Sequence, residues 1–178
     1  MGLLSSFNTG RQNFDVNAAD SKLIVDLSLF VIDATPLGKP PWDGDFFSIP
    51  LQKKPILKLD ELGYELGVED GVLDYVFLTI ENFQGAFLLK KEALPININT
   101  TSEEVIDWFG EPYWTDLDDD GEIILFYEYK NGTIELQFEF PNGKSLAYIT
   151  LTRDGVLSTK EQRESYGVTK PWPPEKKE

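Results

Sequence analysis

The chain contains no cysteine and no histidine. Their absence excludes a disulfide framework, thiol chemistry, Cys- or His-ligated zinc, and any catalysis in which an imidazole carries the proton. No G-x-x-x-x-G-K-[ST] or G-x-G-x-x-G stretch occurs, so a nucleotide phosphate has no cradle. Long hydrophobic runs are missing as well. Leu29–Ile32 and Ile123–Tyr127 fall far short of the roughly 20 apolar residues of a membrane-spanning helix. The apolar start, Gly2-Leu3-Leu4, is too short for a secretory h-region and has no basic residue before it. These absences lead to an expectation of a cytoplasmic protein with no cofactor and no membrane partner.

Positive charge is scarce. Sixteen basic residues face thirty-one acidic ones, for a net charge of −15 at pH 7. Such a field repels nucleic acid and anionic membranes and speeds encounter with basic partners. What the chain does have is apolar material: 41% of its 178 residues are hydrophobic and 13% aromatic, enough for a sizeable core and too much for a disordered chain.

In chain order, residues 1–20 read as a flexible arm. Ser21–Asp33 places Leu23, Val25, Leu27, Leu29 and Val31 at alternate positions, which predicts one strand with a single buried face. Four prolines and Asp43-Gly44 exclude regular structure over most of Ala34–Pro50. Ile56–Gly67 reads equally as strand or short helix, and Gly71–Glu81 as a strand that forms a hairpin with Gln84–Lys91. Residues 154–178 turn polar and proline-rich and read as a mobile tail, with Trp172 able to dock on the body. Residues 21–153 read as one α+β domain, a β-rich half (21–98) followed by a helix and meander (99–153).

Asn99–Arg153 is the best-specified stretch. Thr101-Ser102-Glu103-Glu104 has capping-box spacing, and Gly110 with Pro112 ends the helix, which predicts Ser102–Phe109. Asn131-Gly132 and Asn142-Gly143 are two-residue hairpin signals, so three antiparallel strands follow. The first turn pairs Tyr129 with Ile134, Leu125 with Phe138 and Ile123 with Phe140. A second two-residue turn pairs Phe138 with Ala147 and Leu136 with Ile149. One face of this meander is then continuously apolar, and the helix is expected to pack on it.

The opposite face carries Glu128 across from Glu135, Ile124 across from Glu139, and Phe126 across from Gln137, with Tyr148 and Leu146 alongside. Like charges directly opposite are unfavourable in a sheet. Such a face calls either for cover by the N-terminal half or for a basic partner. Asp116-x-Asp118-x-Asp120-Gly121 matches the start of a calcium loop, but Tyr127 stands where the bidentate Glu belongs and a strand follows. No metal site is assigned there.

The order Ser102-Glu103-Glu104-Val105, Phe109-Gly110-Glu111-Pro112, then Tyr127-Glu128-Tyr129 and Phe138 resembles small α+β modules. These are the beta-lactamase-inhibitor-protein-like and outer-membrane-lipoprotein-assembly (SmpA/OmlA-like) folds, and immunity proteins encoded beside bacterial polymorphic toxins. The similarity is confined to 99–153. It implies a non-enzymatic module whose sheet face meets another protein. The expectation is therefore an α+β, mainly antiparallel fold that binds a basic protein through Glu128, Glu135, Glu139, Phe126 and Tyr148, with no catalytic residues. The alternatives are a structural protein, homo-oligomeric through the same face, and a carboxylate-dependent enzyme with two acids in one pocket.

Overall fold

A computed structural model describes residues 22–130, 132–157 and 159–168. The expected N-terminal arm, Asn131 of the first turn and the segment with Trp172 lie outside the described residues. The first half contains β1 (Ile24–Asp26), β2 (Val31–Ile32), β3 (Thr35–Pro36), α1 (Ser48–Lys53), β4 (Ile56–Leu59), a 3-10 turn (Asp60–Leu62), β5 (Tyr64–Glu69), β6 (Val72–Thr79), β7 (Ala86–Leu89) and β8 (Glu92–Leu94). The second contains α2 (Ser102–Phe109), β9 (Trp114–Leu117), β10 (Ile123–Tyr129), β11 (Ile134–Phe140), β12 (Tyr148–Arg153) and α3 (Lys160–Ser165).

The strands form two sheets. The larger has the order β4-β5-β6-β12-β11-β10-β9 and is antiparallel throughout. The smaller has the order β3-β2-β1-β7-β8, with only β1 and β7 parallel. With three short helices among the described residues, this is the α+β, mainly antiparallel class. One core joins the two sheets: Val25, Ile32 and Phe87 from the smaller, with Leu23 just before β1, meet Leu66, Val76, Leu78, Leu136, Phe138 and Leu151 from the larger. Each such side chain contributes about 1.5–3 kcal/mol by leaving water.

The helix α2 forms as its cap dictates. Thr101 Oγ1 accepts a bond from the Glu104 N–H at 3.3 Å, and Glu104 Oε2 accepts one from the Thr101 N–H at 2.9 Å. Gly110 closes the helix at φ 81°. Val105 is buried, and the Phe109 ring lies 5.1 Å from Phe138 and 5.8 Å from Tyr127. The helix therefore packs on the apolar face of the meander, as its stripe predicts.

The first meander turn keeps the expected register, from Ile123↔Phe140 to Tyr129↔Ile134. The second does not. Phe138 pairs with Ile149 and Leu136 with Leu151, a slip of two residues. The cause is local: Asn142 Oδ1 accepts bonds from the N–H groups of Lys144 and Ser145, which widens the turn. The Leu146 N–H donates to Thr100 O, and its side chain enters the core instead of the opposite face.

Two other expectations are corrected. Ser21–Asp33 is not one strand, because Asp26 Oδ1 takes bonds from the Ser28 hydroxyl and the N–H groups of Ser28 and Leu29. The chain turns there through Phe30 at φ 57°, and Leu29 faces solvent. Residues 71–81 and 84–91 do not form a hairpin either. β7 crosses to the smaller sheet and pairs parallel with β1, passing so close to Leu23 that a Cβ on Gly85 would lie 2.1 Å from the Leu23 carbonyl oxygen.

In the proline-rich segment, α1 carries Pro50 in its first turn, where a missing N–H costs no intrahelical bond. Asp45 is buried and ties the segment together, accepting bonds from the Thr35 hydroxyl and the Ala34 N–H. The Thr35 oxygen in turn accepts the Trp42 N–H at 2.8 Å. Asp45→Ala leaves these donors without their acceptor and should cost about 1–3 kcal/mol. Urea denaturation should show a lower midpoint at unchanged slope.

Candidate functional site

Strand alternation gives the large sheet a second face, turned away from the core. Its ladder rows follow from the register. One row runs Glu65, Phe77, Thr150, Gln137, Phe126, Trp114; a second runs Tyr75, Thr152, Glu135, Glu128; a third runs Thr79, Tyr148, Glu139, Ile124, Asp116. All five residues singled out from sequence stand on this face, but the structure divides them between two environments.

Glu128, Glu135 and Phe126 lie under a cover. After β12 the chain folds back, and a Cβ on Gly155 would come 2.3 Å from Glu135 Oε2, so glycine lets the backbone pass over that carboxylate. Glu135 is 3% exposed. It accepts bonds from Tyr113 Oη and Gln137 Nε2, each at 2.6 Å, and from the Val156 N–H at 3.0 Å. Leu157 packs with Tyr113 and Phe126 in a small second cluster edged by Trp114, Ile124 and Val168.

Beyond it, Thr159 caps α3: its hydroxyl accepts the Gln162 N–H at 3.2 Å, and Gln162 Oε1 accepts the Thr159 N–H at 3.0 Å. Arg163 then turns its guanidinium onto both oxygens of Glu128, with Nη1 at 3.3 Å and Nη2 closer. Its Nε donates to Leu157 O at 3.2 Å, and the guanidinium carbon lies 4.7 Å from the centre of the Tyr113 ring. The sequence reading expects a mobile tail from residue 154 and, for this face, either cover by the N-terminal half or a basic partner. Among the described residues the cover is Gly155–Leu157 and α3.

Tyr148 and Glu139 lie on the uncovered half. The Tyr148 and Phe77 rings stack at 5.4 Å and 25°. Tyr75 lies over Gly67, where a Cβ would meet its ring at 1.9 Å, and its hydroxyl donates to Glu65 at 2.5 Å. Glu139 is half-buried, and its carboxyl is held above the usual carboxylate range, first by burial and then by the negative charge of Glu122. Among the described residues no ion pair includes Glu139 or Glu122. Beside Tyr148 a pocket of about 280 Å³ opens between Thr79, Glu81, Ile98, Pro141 and Leu146. That is below the roughly 300–1,000 Å³ of small-molecule sites and suits a single side chain.

The acidic stretch from Asp116 is divided as well. Asp116 belongs to the edge strand β9, and Asp118 Oδ1 accepts the N–H groups of Asp120 and Glu122 at 3.0 and 2.8 Å, closing a turn. Among the described residues no group of three or more acidic side chains is placed to hold a metal ion, and no helix is long and apolar enough to cross a membrane.

No family model, curated protein or solved structure matches the chain.

Sequence reading missed Arg163, Tyr113, Tyr75 and Phe77. The Thr159-x-x-Gln162 spacing signals α3 in the same way that Thr101-x-x-Glu104 signals α2. Tyr75 and Phe77 show as alternate positions within one strand. Tyr113, after Pro112, carries no local signal.

Two measurements check this network. Tyr113→Phe removes the donor to buried Glu135 and should cost about 1–3 kcal/mol, whereas Tyr127→Phe, whose hydroxyl bonds the Gly110 carbonyl, should cost nearer 1. Burial raises the Tyr64, Tyr75, Tyr113 and Tyr127 hydroxyls above their ordinary value, and the Glu65 and Glu135 bonds raise Tyr75 and Tyr113 further. The unfolded chain therefore loses these protons first, so stability should hold up to about pH 10 and fall above it.

Proposed function

We propose that the chain is a non-catalytic protein-binding module of the immunity-inhibitor kind, acting in the cytoplasm, which docks a basic protein on the uncovered half of the outer face. The observation that supports it most is a contrast within one sheet face. Around Glu128 and Glu135 the chain supplies its own cover and its own cation. Around Tyr148 and Glu139, among the described residues, it leaves stacked rings and a half-buried carboxylate with neither. Rigid aromatic rings supply affinity at low entropic cost, and the net charge of −15 favours fast encounter with a basic surface. The 280 Å³ pocket beside Tyr148 accepts an anchor side chain.

The test compares partners captured from the native organism by the wild-type chain and by Glu139→Lys/Tyr148→Ala. A specific basic partner should be retained by the first and lost by the second, with affinity reduced roughly 30-fold or more, the scale of a hot-spot residue. Equal capture by both overturns the reading. The half-buried Phe77–Tyr148 stack also favours a second reading, self-association through the same face. Sedimentation of the wild-type chain as a dimer that Tyr148→Ala dissociates would support it.

Glu139 also makes a stability prediction. Its folded carboxyl is raised, so near neutral pH the folded state bears an ionised group it disfavours. Glu139→Gln should therefore stabilise the chain at pH 7 by a few tenths of a kcal/mol, since the group is only half-buried. The gain should vanish as pH falls below the ordinary carboxylate range, where the wild-type side chain is neutral in both states. Thermal melts of the two proteins across pH measure the difference.

A further inference from the structure

We propose that the pocket around Arg163 is an arginine-binding site in its own right, and that α3 is a strap which an arginine of a basic partner displaces. A short helix normally seats itself by an apolar stripe. Here, of Lys160–Ser165, only Arg163 is buried; the other five residues face solvent. The strap is thus held chiefly by a charged side chain, with Leu157 before it and the Tyr166–Trp114 ring contact after it.

The fixed part of the receiving site recognises a guanidinium from two sides. Glu128 meets it with two oxygens, and its carbon lies over the Tyr113 ring, 4.7 Å from the ring centre; the Leu157 carbonyl that accepts Nε belongs to the strap and leaves with it. Tyr113 is itself oriented by its bond to Glu135. A forked, planar cation matches this set; an ammonium, as a point charge, does not. The site also disfavours vacancy, because Glu128 and Glu135 stand directly opposite each other in the ladder. It exchanges one cation for another more readily than it empties.

Position completes the argument. Glu135 pairs with Thr152 and Gln137 with Thr150, so the site continues directly into the uncovered half of the same face. A protein seated on Phe77 and Tyr148 would reach β10 by crossing β12 and β11, about 4.8 Å per strand. Displacement of the strap enlarges the docking face and adds Glu128, Glu135 and Phe126 to it. The proposal takes from the functional reading only the source of the competing arginine.

The test uses the full chain and a tri-arginine peptide, with tri-lysine at equal concentration and ionic strength as control. Hydrogen exchange should speed up at the N–H groups of Val156, Arg163 and Tyr166 with tri-arginine, while β11 stays protected and tri-lysine has little effect. Arg163→Ala removes the internal competitor and should bind tri-arginine roughly ten- to a hundred-fold more tightly. Glu128→Gln should abolish the binding. Arg163→Lys keeps the charge but not the fork and should bind tri-arginine several-fold more tightly than wild type, which serves if Arg163→Ala does not fold. Unchanged exchange in the strap, or Arg163 variants that bind no more tightly than wild type, overturns the proposal. Glu139→Lys/Tyr148→Ala should leave the strap's response to the peptide in place, so failure of the open face and failure of the strap are read separately.

Discussion

The parity of the β6-β12-β11-β10 ladder is the constraint from which the rest follows. Each strand sends alternate side chains to opposite faces, so one register decides at once what is core and what is surface. The inner face takes Val76, Leu78, Leu136, Phe138, Ile149 and Leu151, and with them the smaller sheet and α2. The outer face receives what is left, a mixture of rings and carboxylates that no single environment suits. The second sheet cannot serve both sides, and the outer face has to be dealt with by the segment that follows β12.

The two faces are sealed by different forces. The inner seal is apolar and non-directional, and its strength grows with area. The outer seal is a chain of directional contacts, Val156 to Glu135, Tyr113 to Glu135 and Arg163 to Glu128, over a small apolar patch. A buried ion pair contributes little net stability, because desolvation of both charges offsets most of their attraction. Removing one member, however, strands the other. An apolar seal can loosen by degrees, whereas this one stands closed or needs a substitute cation. The same sheet thus combines a permanent side with an exchangeable one.

What could be read from sequence was local. The α2 helix shows through its capping box, the first meander turn through Asn131-Gly132, and the α+β class through strand alternation. What could not be read was mostly non-local. Nothing near Ala86–Leu89 announces that it will pair parallel with Ile24–Asp26, and nothing near Val72–Thr79 names Tyr148–Thr152 as its neighbour. Two misreadings were local, and Asx chemistry caused both: Asp26 folds a continuous-looking strand into two, and Asn142 widens a turn by two residues. The second error did limited harm. A slip of two preserves parity, so Tyr148 and Glu139 remained on the outer face even though Tyr148 changed partner from Gln137 to Glu139. At the site itself, acid placement was legible from alternation, but the source of the cover was not, because a polar tail with one well-placed arginine looks like any other polar tail.

The pairing of β6 with β12 joins residues roughly 70 positions apart, Thr79 with Tyr148. Between them the chain must complete the crossing to the smaller sheet, α2 and most of the meander. As the protein emerges from the ribosome, the edge of β6 therefore stays open until β12 is made. An uncovered edge with apolar Val76 and Leu78 beside it is the kind of surface that recruits other chains. The period of greatest hazard for this protein lies in its synthesis, and it ends only when Tyr148–Arg153 arrives as the missing strand.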